Sequence, residues 1–470
     1  MKRDYLGLLK NTLIFSIGTF SSSIITFLML PIFTRVLTKD EYGQLDILLV
    51  SISLLFPILT FGIANSVFRF TIESKCDKKR KMVISSSLFV IVITLIFLVF
   101  LSLPLTMFFS IFHKYYIYFL VIFELQLFAS ILKEFIRAVD KIKLFALNDI
   151  IYALTFAFFG IINVAVLRKG ISGYLSAIFI ALTFSIAFLF TTGRLYRYID
   201  FGSIDFSFLK KMIFYSLPLV PNGLSWWVMV SSDRYLLLYF IGYDAVGIYS
   251  VSNKIPSLVL IFNSLFYKAW QITSINIYQN KYMNRFYTNI FTYFYILMFG
   301  LVIILSLFIK PFLMLFLGTE FKTVWKYIPF LLLGVVFQSF SGFYGIGYLA
   351  SKETSKALKT TIYGSLTNII VNIMLIPVMG IHAAAISTFL GFFVMWIVRI
   401  RETKRYFQIE IRIQKFMFLF LLTLSALLLL YVREPLSFIL QSICLLVFLI
   451  VAFNDLARLF HFLYHLIRRR

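Results

Sequence analysis

Charge is scarce in this 470-residue chain: 14% of its residues are Asp, Glu, Lys or Arg, and acids are the scarcer kind, 20 against 44 bases. A soluble globular chain is about one quarter charged, so an ordinary water-facing surface is excluded. There are only two cysteines and four histidines. Cys76 lies in a basic loop and Cys444 inside an apolar run, which argues against a disulfide or a thiolate metal site. Of the histidines, only His461 and His465 stand at i, i+4, on a basic tail that reads as a solvated face. No Gly-x-x-x-x-Gly-Lys-Ser/Thr phosphate loop, Gly-x-Ser-x-Gly elbow or His-Glu-x-x-His zinc helix occurs. No cofactor or metal is expected, and the chain does not read as an enzyme.

What is present is apolar: 61% of residues are hydrophobic and 19% aromatic. A membrane-crossing helix needs about 20 such residues. Runs of that length fall at 11–33, 45–68, 82–109, 116–132, 144–167 and 171–192, again at 212–241, 248–269, 286–309, 325–349, 361–378 and 383–398, and last at 416–432 and 436–453. The basic start, Lys2, Arg3 and Lys10, leads into a run too long for the core of a signal peptide, so the first run is expected to be a retained span. Fourteen spans leave only loops between them, which excludes a separate catalytic domain.

A net charge of +24 in a soluble protein would suggest nucleic acid. Here the bases sort by loop instead. If the N-terminus is inside, the inward segments hold 33 bases and the outward ones 9, with Arg234 and Lys254 inside spans. That asymmetry is the positive-inside signature, and it predicts both termini in the cytoplasm and no nucleic-acid partner.

The two sets of six spans look like copies. Asn163 and Gly170 in the first correspond to Asn372 and Gly380 in the second, Gly43 to Gly247, and Tyr152 to Tyr363, at offsets of 204 to 211 positions. An even number of spans per copy makes the repeats parallel, related by an axis along the membrane normal. The expected fold is an all-α polytopic membrane protein with two pseudo-symmetric six-helix lobes. Residues 1–193 form the N-lobe, 194–211 a cytoplasmic linker, 212–400 the C-lobe, and 401–470 two further spans and a basic tail.

An ionisable group at mid-bilayer costs about 2.5 to 3.5 kcal/mol, so each one needs a partner or a water-filled cavity. Arg234 precedes the Gly242 turn by eight residues and Lys254 follows Gly247 by seven, which places each about 10 to 12 Å below the outer end of its helix. Two cations at one depth suit a pyrophosphate; the alternatives are snorkelling to the surface or an ion pair between Lys254 and Asp233. Arg35, at the outer end of the first span, either lines a cavity mouth or faces lipid heads. Glu124, near the middle of its span, is either an ion-coupling carboxyl or a hydrogen-bonded structural one, and Asp233 shares the coupling reading. Asp46 and Asp149, nearer span ends, are expected to cap or orient helices. Trp226, Trp227, Tyr235 and Tyr249 offer ring faces that a sugar could use.

Three stretches carry a family resemblance. Leu30-Pro-Ile-Phe-Thr-Arg35-Val-Leu-Thr-Lys-Asp-Glu41-Tyr42-Gly43, Asp233-Arg234 followed by Val246-Gly247-Ile-Tyr249-Ser-Val-Ser-Asn-Lys254, and Asn372-Ile-Met-Leu-Ile-Pro377-Val-Met-Gly380-Ile resemble the polysaccharide-transporter branch of the MOP exporter superfamily. That branch contains the Wzx-type O-antigen flippases and is related to MATE drug exporters and the lipid II flippase. The resemblance implies a MATE-like two-lobed core in a bacterial cytoplasmic membrane. Its cationic cavity would pass an undecaprenyl-pyrophosphate-linked oligosaccharide between leaflets for O-antigen, capsule or exopolysaccharide synthesis. The partners it implies are that substrate, membrane lipids, a polysaccharide polymerase and a chain-length regulator. The other reading is a drug or small-molecule exporter of the same fold. In one respect the chain departs from the lipid II flippase pattern: the first-span interior, residues 12–31, holds no base.

Overall fold

The computed structural model describes residues 18, 20–74, 76–108, 110–200, 202, 204–278, 281–351 and 353–468. Among them every regular element is a helix. Two compact units emerge, Met1–Gly247 and Ile248–Arg470.

The first unit begins with α1 (Phe20–Val36) and α2 (Lys39–Leu59). A reciprocal capping box starts α2: the Thr38 hydroxyl accepts from the Glu41 amide at 3.2 Å, and Glu41 Oε2 accepts from the Thr38 amide at 3.1 Å. Phe61 and Gly62 both have positive φ, which stops α2 and restarts the chain as α3 (Ile63–Glu73). The expected second span is therefore a broken helix. Then come α4 (Asp77–Phe108), α5 (Tyr116–Ala138), α6 (Ile142–Gly160), which runs on through a π turn at Ile161–Val166, and α7 (Gly170–Thr192). The polar stretch read as a linker is anchored to α4: the backbone amides of Asp200 and Asp205 donate to the buried hydroxyls of Ser85 and Ser86. Asp205 also caps α8 (Phe206–Ser216) by accepting from the Phe208 amide at 3.0 Å. A 3-10 turn at Leu217–Leu219, with Pro218 in it, bends the chain into α9 (Val220–Phe240), and α10 (Tyr243–Ser252) follows. By packing, α8 and α9 fall in the first unit, where α8 lies against α3 and α4, and α9 against α2.

The second unit holds α11 (Lys254–Ile277), α12 (Met283–Phe316), α13 (Ile328–Ala350), α14 (Thr354–Met379), α15 (Ile381–Thr403), α16 (Ile413–Leu428) and α17 (Leu436–Arg468). α13 is its central helix, packed against α11 and α15. The core is aromatic: Phe266 stacks on Phe294 at 4.2 Å, Trp270 on Phe343 at 4.3 Å, and Trp396 on Phe416 at 5.4 Å. Phe448 of α17 fills the space left by Gly300, where an added Cβ would stand 2.7 Å from its ring.

Eleven described helices are long and apolar enough to cross a membrane. Helical segments also occupy the three other expected spans, as α1, α5 and α9. Two bases assigned to loops are helical and buried. Lys310 lies within α12 and donates to the Val432 carbonyl at 2.9 Å. Arg399 lies within α15, where its guanidinium reaches Thr360, Thr361 and the Ser341 carbonyl at 2.7 to 3.2 Å. One is lost from each side of the charge count, which leaves the bias intact.

The repeat shows in local geometry as well as in sequence. Gly170 and Gly380 both have positive φ, 55° and 58°, and each stands at the start of a helix. In the first unit the Asn163 side chain donates to Ser176 at 3.0 Å, and in the second Ser387 donates to Asn372 at 2.7 Å. Residues 209 and 211 positions apart thus pair an Asn with a Ser in both units, with the donor reversed. The loop distribution of bases predicts that a cysteine at Lys79 or Lys404 is shielded from an impermeant thiol reagent in intact cells while one at Asp244 reacts. The reverse labelling at any of the three would contradict the span order.

Candidate functional site

Within the first unit, α2 and α9 face each other along a polar stripe. Asp46 and Ser53 are seven residues apart on α2, as Trp227 and Arg234 are on α9, so on each helix the pair shares one face two turns apart. Arg234 Nε donates to Asp46 Oδ2 at 2.7 Å, with the two side chains only 11% and 13% exposed. Its Nη1 donates to the Val230 carbonyl at 2.6 Å. Between the ends of the stripe, Ser51 and Tyr235 share a hydrogen bond of 2.5 Å. Trp227 Nε1 donates to Ser53 at 3.0 Å, and its ring lies 5.8 Å from that of Tyr235.

Of the two roles expected for Asp46, capping or orienting a helix, the pair fits the second: Asp46 is the buried counter-charge of Arg234, 188 residues away in sequence, and ties α2 to α9. A guanidinium placed inside an apolar stack requires such a partner, and the pair leaves a planar cation fixed in orientation on a stripe that also carries two half-buried aromatic rings. Asp233, the next residue, is fully buried. Arg35 lies in the last turn of α1 and is exposed, which suits a cation at a helix C-terminus. Lys254 is half-buried at the first turn of α11, in the second unit.

Glu124 on α5 faces α4, where the buried Thr94 hydroxyl donates to it at 3.3 Å from each carboxylate oxygen. A second polar cluster lies among α5, α6 and α7. A cavity of about 310 Å³ is bordered by Gln126, Lys133, Asn148, Asp149, Tyr152 and Ser185. Lys133 Nζ is 2.5 Å from Asp149 Oδ1, and Ser185 donates to Asn148 at 3.0 Å. Asp149 is therefore another interhelical counter-charge, the orienting role of the two expected for it. Of the four aromatic residues considered for sugar stacking, Tyr249 is ruled out: it is 1% exposed, and its hydroxyl bonds Thr388 at 3.1 Å. Trp227 and Tyr235 keep half-buried faces on the α2–α9 stripe.

Among the described residues no three His, Cys, Asp or Glu side chains gather as a metal site. What the stripe offers chemically is a fixed cation, hydroxyl groups and aromatic faces. Those groups bind phosphate oxygens and sugar rings without bond-making chemistry.

The family described as polysaccharide biosynthesis protein matches residues 8–270. No curated protein sequence matches the chain. Solved structures similar to it include the lipid II flippase MurJ in an inward closed conformation, with a TM-score of 0.72 at 16% identity over 95% of this chain and 100% of that one. An inward-facing multidrug resistance MATE family transporter of the MOP superfamily gives 0.65 at 16% identity over 86% of this chain and 98% of that one. A MOP superfamily transporter from Pyrococcus furiosus gives 0.62 at 15% identity, covering 85% and 96%. At such identities the likeness establishes the fold: an all-α, multi-pass membrane architecture of the MATE and MurJ type.

Proposed function

The chain belongs to the polysaccharide biosynthesis protein family, and on that premise we propose that it is a flippase for undecaprenyl-pyrophosphate-linked oligosaccharides in a bacterial cytoplasmic membrane, with both termini in the cytoplasm. The observation that carries the reading is the buried Arg234–Asp46 pair on the same α2–α9 stripe as Trp227 and Tyr235. A pyrophosphate entering an apolar path needs a cation already desolvated and oriented, because hydration lost during entry has to be replaced by fixed partners. Arg234 meets that need: its carboxylate partner holds the fork in place, and an incoming phosphate can share the guanidinium. The neighbouring indole and phenol supply the flat surfaces on which sugar rings settle.

Lys254, in the second unit, is assigned to anion binding as well, and Arg35 is a further base toward the outer end of α1. Glu124 and Asp233 are the carboxyl groups assigned to ion coupling, Glu124 through the proton it would exchange while Thr94 holds it. The full span count is fourteen, with α1, α5 and α9 joining the eleven long apolar helices. Two parallel six-helix lobes and two C-terminal helices complete the architecture. A polysaccharide polymerase and a chain-length regulator are its partners.

The alternative, a drug exporter, keeps its support from the fold of the MATE transporter. Deleting the gene separates the two. The flippase reading expects loss of surface polysaccharide and accumulation of lipid-linked repeat units. Unchanged polysaccharide together with new sensitivity to lipophilic cations would favour the exporter.

A further inference from the structure

A second site lies in the second unit, where α15 ends. After Thr403 the chain turns into an extended linker that is pinned to the start of α12: the Gln408 amide donates to Asn284 Oδ1 at 3.0 Å and the Glu410 amide to Thr288 Oγ1 at 3.0 Å. Phe407 locks the turn against α13, since a Cβ on Gly347 would stand 2.0 Å from its ring. Between linker and helices is a cavity of about 270 Å³, lined by Tyr344, Thr403, Lys404, Gln408, Ile409 and Glu410.

One lining group is unmatched, and two more carry opposite charges. The Tyr344 hydroxyl is buried, on a residue 2% exposed, and has no hydrogen-bond partner among the described residues. A buried donor without a partner is rare in a native fold and points to a missing one. Lys404 and Glu410 border the same cavity, and neither forms an ion pair among the described residues. A lone anion would leave Glu410 opposed and a lone cation would leave Lys404 opposed. The set is complementary to a ligand that carries both charges, an anionic oxygen for Lys404 and Tyr344 and a protonated amine for Glu410. The cavity lies at the end of an apolar helix of spanning length, Ile381–Thr403, the depth at which phospholipid headgroups lie.

We propose that this cavity binds a phosphoethanolamine group, supplied by the headgroup of a phosphatidylethanolamine in the surrounding leaflet. The site rests on the membrane fold alone and not on the flippase reading. A choline headgroup carries the same charges but no N–H to give Glu410, and a glycerol headgroup carries no cation at all.

The test is thermal unfolding of the purified full chain in mixed micelles containing dioleoyl phosphatidylethanolamine, phosphatidylcholine or phosphatidylglycerol, with soluble O-phosphoethanolamine as a fourth arm. Phosphatidylethanolamine is expected to raise the unfolding temperature saturably, and the other two lipids are not. Lys404→Gln and Glu410→Gln should each weaken its apparent affinity about tenfold, the worth of one charge-assisted hydrogen bond. Both residues are exposed, so these substitutions spare the core. Tyr344→Phe removes one oxygen and should weaken binding by a smaller factor. Equal stabilisation by all three lipids, or an ethanolamine effect unchanged in the three variants, would overturn the proposal. Binding of O-phosphoethanolamine without the lipid effect would overturn its lipid source.

Discussion

Arg234→Gln is expected to remove most of the protein from the membrane as well as its export activity. The substitution leaves Asp46 as a carboxylate only 13% exposed and stripped of its guanidinium. Breaking a buried pair from one side costs about 3 to 5 kcal/mol, a large share of the stability of a typical domain. The double variant Asp46→Asn with Arg234→Gln separates the two roles of the arginine. Two amides of similar shape can hydrogen-bond across the same gap, so abundance measured by immunoblot should return close to that of the parent. Export should not return, because the cation meant for the pyrophosphate is still missing. Recovery of surface polysaccharide in the double variant would make Arg234 a structural partner of Asp46 and nothing more.

A comparably large effect is expected where α2 crosses α10. A Cβ on Gly43 would stand 1.9 Å from the Tyr243 carbonyl oxygen, and one on Gly247 would stand 1.9 Å from the Lys39 carbonyl oxygen. Each glycine is also within 3.0 to 3.1 Å of the other's amide nitrogen by the same measure. The contact is reciprocal, and Lys39 closes it with an ion pair to Asp244 at 3.0 Å. Backbone cannot yield as a side-chain tip does. Gly43→Ala or Gly247→Ala therefore has to separate the helices, at about 1 to 3 kcal/mol for overpacking, and valine at either position should cost more. Gly223→Ala is the control. Its Cβ would meet Pro57 at an ordinary 3.8 Å, and alanine in mid-helix is favoured over glycine, so that variant should unfold at the parent's temperature or above it. Equal behaviour of the three alanine variants in a melting experiment would show that the crossing is looser than described.

The helices were legible because a membrane span is written in consecutive residues: apolar length alone marks it, and the bases sort by loop. Breaks inside spans were not. Residues 45–68 read as one apolar run, and nothing in their hydropathy shows that Phe61 takes a left-handed conformation beside Gly62. The ends of spans misled in the opposite direction. Lys310 and Arg399 stand where apolar runs give way to polar ones, so they counted as loop bases, yet each helix continues past them and turns the charge inward to carbonyl and hydroxyl oxygens. The candidate site was half legible. Arg234 announced itself as a base inside a span, whereas its partner Asp46 could not be paired with it from sequence, because 188 residues separate them and the pairing depends on which faces of α2 and α9 meet. A usable signal did exist: Asp46 to Ser53 and Trp227 to Arg234 share a seven-residue spacing, which marks matching stripes on two helices. The repeat made the Asn163 and Asn372 correspondence visible, but their serine partners are too common in membrane helices to stand out.

The most direct measurement is leaflet transfer in proteoliposomes. Purified protein is reconstituted with an undecaprenyl-pyrophosphate-linked oligosaccharide, and an impermeant glycosidase reports the fraction of sugar exposed on the outside over time. The account predicts transfer that scales with protein content and falls to the protein-free rate in the Asp46→Asn, Arg234→Gln double variant. Transfer no faster than in protein-free liposomes, alongside protein-dependent movement of lipophilic cations, would contradict it.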